Sequence, residues 1–282
     1  MRLARLLAVV CAVLSAGCFS SDSIIAVQPD GSGTITNTIL LKAATMELLN
    51  TFQSASEPEK EKKEGTAPAP KDIFSEAKMR EATASMGEGV TFQSMQPMKK
   101  DGWEGVMVTY AFKDISKLKF NMRSESAMAM TDSAPELMTF RFAPAGAAAP
   151  AKLTIVMPIE KALKDRAKSH ASPMPKLDDS AMSKALMEQF KTMFDGLRAS
   201  VAVEVGGPIV KTNADYVAGS KVTLLAIDFN QLMTSGADFE TFGAITDGTM
   251  PLAEAREKLK NTKGLSMQLQ PEVNVEFRKL QN

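Results

Sequence analysis

Histidine and tryptophan each occur once in 282 residues, and tyrosine and cysteine twice each. The one imidazole, His170, lies in the polar run Lys168-Ser169-His170-Ala171-Ser172-Pro173, so a serine–histidine–aspartate relay would have to be assembled on a loop. Two cysteines, Cys11 and Cys18, are too few for a four-thiolate zinc site. The chain also lacks a Walker loop, a G-x-G-x-x-G turn and an H-E-x-x-H helix, so no catalytic residue, metal ligand or cofactor site is expected. Excess charge is missing too: Lys plus Arg and Asp plus Glu both equal 33, which leaves no field to draw nucleic acid. No apolar run reaches the ~18 residues of a membrane-crossing helix. With 44% hydrophobic residues, however, there is ample material for a buried core.

What is present begins at the N-terminus. Met1 to Arg5 carries Arg2 and Arg5 and no acid, Leu6 to Leu14 is unbroken apolar sequence, and Ser15-Ala16-Gly17 are small residues before Cys18. That is the layout of a secretion signal over residues 1–17. Leu14-Ser15-Ala16-Gly17-Cys18 resembles the lipobox of bacterial lipoproteins, with leucine four places before the cysteine and Ser15 at the third. The resemblance implies a diacylglyceryl thioether on Cys18, cleavage between Gly17 and Cys18, and acylation of the new amine by a fatty acid such as palmitate. Removing the signal removes Cys11, so Cys18 would be the one thiol of the mature chain. An unpaired thiol is unusual in an exported protein unless a modification consumes it, and the same count leaves no internal disulfide. Loss of Arg2 and Arg5 leaves 31 basic side chains against 33 acidic ones, a nearly neutral protein of charge −2. Two or three acyl chains suffice to hold such a domain stably on a bilayer. Residues 18–23 read as the lipidated cysteine and a short tether, with a reach of at most ~17 Å. Phe19 follows the cysteine in place of the aspartate that retains lipoproteins in the inner membrane of enteric bacteria, which favours the periplasmic face of the outer membrane.

Residues 24–282 read as an α+β domain: largely antiparallel sheet, with amphipathic helices packed on one face. Strands are expected over 24–28, 34–41, 90–96, 103–112, 137–143, 152–157, 200–205, 209–212, 221–228 and 272–278, and helices over 43–55, 72–86, 179–197 and 251–260. Glu57 to Lys71, dense in Glu, Lys, Pro and Ala, reads as a flexible linker, and 121–136 as a polar loop and sub-boundary. Pro29-Asp30-Gly31-Ser32-Gly33 is a hairpin turn. An EF-hand register through Asp30 would put Ala26, Gln28 and Asn37 at ligand positions, which excludes calcium. The order ββ-α-ββ occurs twice, and Asp114-Ile115-Ser116-Lys117-Leu118 matches Asp228-Phe229-Asn230-Gln231-Leu232. Either two remotely related units or two similar strand-to-helix caps would produce this, the aspartate capping free N–H groups and the apolar pair folding onto the core.

Asp30-Gly31-Ser32-Gly33 shortly after the lipobox, the run Gly206-Gly207-Pro208-Ile209-Val210-Lys211-Thr212-Asn213-Ala214 and the strand from Lys221 to Leu225 resemble a class of bacterial lipoproteins related to the LppM-type domain. The resemblance implies an anchored α+β envelope domain and carries over no catalytic residue. In physical terms, Gly206 to Asn213 is a glycine-rich turn into an edge strand, with Pro208 where its missing N–H matters least. The segment Ile159 to His170 places Lys161, Lys164, Arg166 and Lys168 against Glu160 and Asp165, a candidate contact for anionic headgroups. Met182, Leu186, Phe190, Met193 and Leu197 form one helical stripe that must be covered, and Asp178-Asp179 marks that helix's start. The expected function is non-enzymatic: a lipid-anchored envelope domain that binds an unidentified envelope protein or serves a structural role. The alternative, suggested by 19 methionines, is a carrier or chaperone for lipids or other hydrophobic ligands.

Overall fold

The computed structural model describes residues 19–43, 74–122, 137–146, 149–159, 194–234 and 249–279. The helices expected at 43–55 and 179–197 fall almost wholly outside them, as do the linker at 57–71 and most of the loop at 121–136. Thirteen strands are described: β1 Phe19–Val27, β2 Gly33–Lys42, β3 Thr91–Lys100, β4 Trp103–Phe112, β5 Lys119–Asn121, β6 Leu137–Ala143, β7 Ala151–Val156, β8 Arg198–Val205, β9 Ile209–Thr212, β10 Val217–Ala218, β11 Lys221–Asp228, β12 Leu265–Met267 and β13 Glu272–Phe277. The helices are short: α1 Glu76–Ala82, α2 Phe229–Thr234 and α3 Leu252–Lys260. The class is α+β, strands dominating.

The strands form two open sheets. The larger has the order β10-β11-β8-β1-β2-β4-β3, with β12 also on β11, and the smaller β5-β6-β7-β13-β9. Every pairing is antiparallel apart from that of β1 with β8. The two ββ-α-ββ stretches do not build separate sheets. β6 and β7 of the second join the smaller sheet, while β8 returns to the larger one beside β1, with β11 on its far side.

Alternation decides which side of each strand is buried. In β4, Val106, Val108, Tyr110 and Phe112 point inward; in β13, Val273, Val275 and Phe277 do so. These residues, with Ile25, Val27, Ile35, Val201, Val203, Phe140, Leu153 and Ile155, belong to one continuous cluster drawn from both sheets. The first hairpin is closed by Asp30, whose Oδ1 accepts from the Ser32 hydroxyl at 2.7 Å and the Ser32 N–H at 2.9 Å. Those bonds hold the Asp30 carboxyl below its ordinary pKa, the hydroxyl contributing most. Gly31, at φ 89°, lies against the Phe142 ring, where a Cβ would come within 2.8 Å.

Residues 19–23 are not a tether. Phe19 is already paired with Leu41, and Ser20 with Arg198, so β1 is bracketed from its first residues. The Phe19-Ser20-Ser21-Asp22-Ser23 run looks solvated, yet Ser21 and Ser23 are only 3% and 0% exposed, because small hydroxyls fit inside a strand bonded on both sides. The helix expected over 72–86 starts later, at Glu76, and passes into a 3-10 turn over Thr83–Ser85.

Candidate functional site

The start of β1 lies beside the beginning of β8 and the end of β11, and the outward rows of these strands bring polar side chains together. One row reads Ser20, Arg198, Asp228; the next reads Asp22, Ser200, Ala226. Arg198 Nε lies 3.0 Å from Asp228 Oδ2, while Asp228 Oδ1 accepts from the Gln231 N–H at 3.0 Å. The Ser200 hydroxyl donates to Asp22 Oδ1. Together with Gln231, Gly264 and Ser266 they line a cavity of about 360 Å³. The Gly264 carbonyl closes one wall by accepting from the Asp228 N–H at 2.8 Å.

Asp228 thus has two roles from one position. It caps α2, as Asp114 caps the 3-10 turn over Ile115–Lys117 through a 2.9 Å bond from the Ser116 N–H. The matched motif is two genuine caps, with Ile115, Leu118 and Leu232 buried behind them. Asp228 alone adds an arginine, because its strand has β8 beside it.

On the other side of β1 the rim continues. Lys42, at the end of β2, reaches Asp195 Oδ2 at 3.0 Å, and its ammonium stands 5.8 Å from the centre of the Trp103 ring. Asn230 Nδ2 donates to Asp195 Oδ1 at 2.9 Å, and the Gly196 N–H donates to Asn230 Oδ1 at 3.0 Å, tying the turn before β8 to α2. The hydrogen bond from Lys42 is the main reason the Asp195 carboxyl titrates below its usual range, followed by that from Asn230.

Chemically, the surface is a neutralised polar one. Arg198 and Lys42 are each matched to a carboxylate, and the Ser200 hydroxyl is held on Asp22. Two carboxylates, a guanidinium, four serines and an amide suit a small polar ligand, and the volume is at the lower end of small-molecule pockets.

The site residues expected from sequence, namely Gly17, Cys18, Lys161, Lys164, Arg166 and Lys168, lie outside the described residues, as does His170. The edge strand expected after Pro208 is present as β9, at the end of the smaller sheet. Asp22, Arg198 and Ser200 escaped the sequence reading. The one usable signal was the alternation of polar residues in Ser20-Ser21-Asp22 and Arg198-Ala199-Ser200, and nothing in it indicated that two segments 178 residues apart pair in register. Among the described residues no helix is long and apolar enough to cross a membrane.

No family model matches the chain, and no curated protein matches it. Among solved structures it is similar to the folded domain of LppM from Mycobacterium tuberculosis, determined by NMR, at 11% identity, over 94% of this chain and 91% of that one, with a TM-score of 0.28. This is a weak LppM-like resemblance, broad in extent and loose in geometry, and it says nothing of activity or partners.

Proposed function

We propose that the chain is a lipid-anchored envelope lipoprotein, cleaved before Cys18 and acylated there, whose α+β domain has a non-enzymatic binding or structural role. The observation that carries this reading is the meeting of motif and fold. The lipobox-like run ends at Cys18, and Phe19, the first described residue, already lies in β1, held by β2 on one side and β8 on the other. A strand already paired at Phe19 is compatible with cleavage at Gly17–Cys18. The cavity beside β1 is the binding element of the reading, suited to a small polar ligand or a polar segment of a partner. Its lining gives no support to an acyl-chain cargo, so carriage of hydrophobic chains is the weaker alternative. The periplasmic face of the outer membrane and headgroup contact through Lys161, Lys164, Arg166 and Lys168 belong to the same proposal.

Mass spectrometry of the N-terminal peptide, with detergent-phase partitioning, tests the anchor. The wild-type protein is expected to begin at an acylated Cys18 and enter the detergent phase, and Cys18→Ala to carry neither the acyl groups nor the cleavage at Gly17–Cys18. A Cys18→Ala protein still cleaved, acylated and in the detergent phase refutes the proposal.

A further inference from the structure

Trp103 is the chain's one tryptophan, and it stands at the same end of the larger sheet as the residue following Cys18. Phe19 pairs with Leu41, Leu41 with Glu104, and Lys42 with Trp103. Two strand spacings of ~4.8 Å therefore put the start of β4 on the order of 10 Å from the start of β1. Half-buried Phe19, Leu40, Leu41, Met98 and Trp103 share this end, where β3 turns into β4 through Asp101 and Gly102. Three of its cations are matched, Lys42 to Asp195 at 3.0 Å, Lys99 to Glu104 at 2.9 Å and Arg198 to Asp228 at 3.0 Å, and exposed Lys100, in register with Trp103, is followed by the acidic Asp101. Such an edge is amphipathic without strong charge, and an indole with a polar rim is the side chain that best tolerates the boundary between headgroups and acyl chains.

Resting on the lipid-anchor reading, we infer that this edge, led by Trp103 and Phe19, is seated on the zwitterionic headgroup layer of the membrane. Consecutive Cα atoms are 3.8 Å apart, so an acyl group on Cys18 leaves no slack. Because β1 is bonded on both sides from Phe19 and Ser20 onward, the domain is not free to swing on its anchor. The same geometry keeps the far end of the sheet away: Lys113, exposed just beyond β4, is ten residues from Trp103, roughly 33 Å along a strand.

The test uses the full mature protein, purified from membranes and reconstituted in phosphatidylcholine vesicles, with Trp103 as the intrinsic probe. Lipids brominated near the top of the acyl chain are expected to quench its emission by at least about twofold and aqueous iodide to quench it weakly. In a Trp103→Phe, Lys113→Trp variant, checked for native unfolding behaviour, the pattern should reverse. Acylated protein whose Trp103 is quenched by iodide and not by lipid overturns the seated edge and leaves the anchor standing, as does lipid quenching of the indole in the double variant. Mass analysis of the same samples reports on Cys18 separately. Protein unmodified at Cys18 that floats with vesicles and shows lipid quenching overturns the anchor and keeps the edge, and protein that neither carries lipid nor floats overturns both.

Discussion

Asp215, in the crossing from β9 in the smaller sheet to β10 in the larger, offers the sharpest energetic test of this fold. Its carboxylate takes Arg256 Nε at 2.6 Å, Arg256 Nη2 at 2.7 Å and Gln270 Nε2 at 2.9 Å, with Lys260 Nζ at 4.0 Å. Arg256 projects from α3, which is otherwise docked through buried Ala255 and Leu259. The Asp215 backbone is held independently: its N–H donates to Gln268 Oε1 at 3.1 Å, and the fully buried Gln268 donates to the Thr223 carbonyl at 3.0 Å. Asp215→Asn therefore removes the charge and leaves the loop tied. Breaking a fully buried pair costs ~3–5 kcal/mol and an exposed one ~1 kcal/mol or less. With the Asp215 side chain 9% exposed and that of Arg256 37% exposed, the pair lies between these limits. The expected loss at neutral pH is about 2 kcal/mol, after allowing for screening at the arginine. The guanidinium hydrogen bonds, more than its charge, hold the Asp215 carboxyl below its ordinary value, with burial opposing, and the same pair raises Arg256. A carboxylate with a depressed folded pKa contributes stability above its unfolded value and loses it as pH falls through the folded one. The wild-type advantage over Asp215→Asn should thus be complete above about pH 5 and shrink steadily as the pH drops below 3.8. Denaturant unfolding of both proteins across that range measures it. A difference under ~0.5 kcal/mol at neutral pH, or one that persists unchanged in acid, would refute the pair as described.

Other substitutions probe the core, the caps and the strand spacing. Phe277→Ala, at a fully buried ring 6.4 Å from that of Phe142, should cost ~3–5 kcal/mol by denaturant unfolding, while Val210→Ser on the outer edge should stay within about 0.5 kcal/mol. Asp114→Ala removes the cap bond to the Ser116 N–H and should cost ~1 kcal/mol, read as a shifted denaturant midpoint with unchanged slope. Gly105→Ala would put a Cβ 1.9 Å from the Ile39 carbonyl oxygen, so β2 and β4 must separate. Its thermal midpoint should fall by at least what a loss of ~2–4 kcal/mol implies, and a midpoint within a degree of wild type would contradict the close strand approach.

Local signals carried most strand positions and little of their partnership. The strands at 103–112, 137–143, 209–212 and 221–228 lie where alternation and turn chemistry put them, because a half-buried strand writes its period into its own residues. The caps at Asp114 and Asp228 were legible for the same reason, each being settled within five residues. β5, β10 and β12, at three, two and three residues, are too short for any period to register. The start of β1 was misread because its buried positions hold Ser21 and Ser23, whose polarity mimics a tether. The cavity was illegible because Asp22 and Ser200 become neighbours only through a parallel pairing of β1 with β8, and register between distant segments is decided by the assembled core. The proposed lipidation, by contrast, rests on the motif alone, since Gly17 and Cys18 lie outside the described residues.

That same pairing fixes how an anchored domain would respond to force. An anchor at Cys18 pulls along β1, and β1 is the strand with the most separated partners, β2 close by in sequence and β8 beginning at Arg198. Tension along the strand loads its hydrogen bonds to both neighbours in shear, so they resist together and do not unzip one at a time. Detaching only Phe19 to Ser21 would already expose the inward Ser21 and open the wall of the cavity formed by Ser20, Arg198 and Asp228. If Cys18 is the anchor, distance from the membrane and integrity of the cavity would be one variable: the domain would gain reach only by dismantling the site. The pairing also constrains folding after export. The sheet has no centre until residue 205 is available to complete β8, and such long-range closure is slow relative to hairpins like β1–β2 and β3–β4. The hairpins can form first, and the edge of β1 facing β8 stays open until the second half of the chain arrives, which is the interval in which a chain of this topology is most exposed to mispairing.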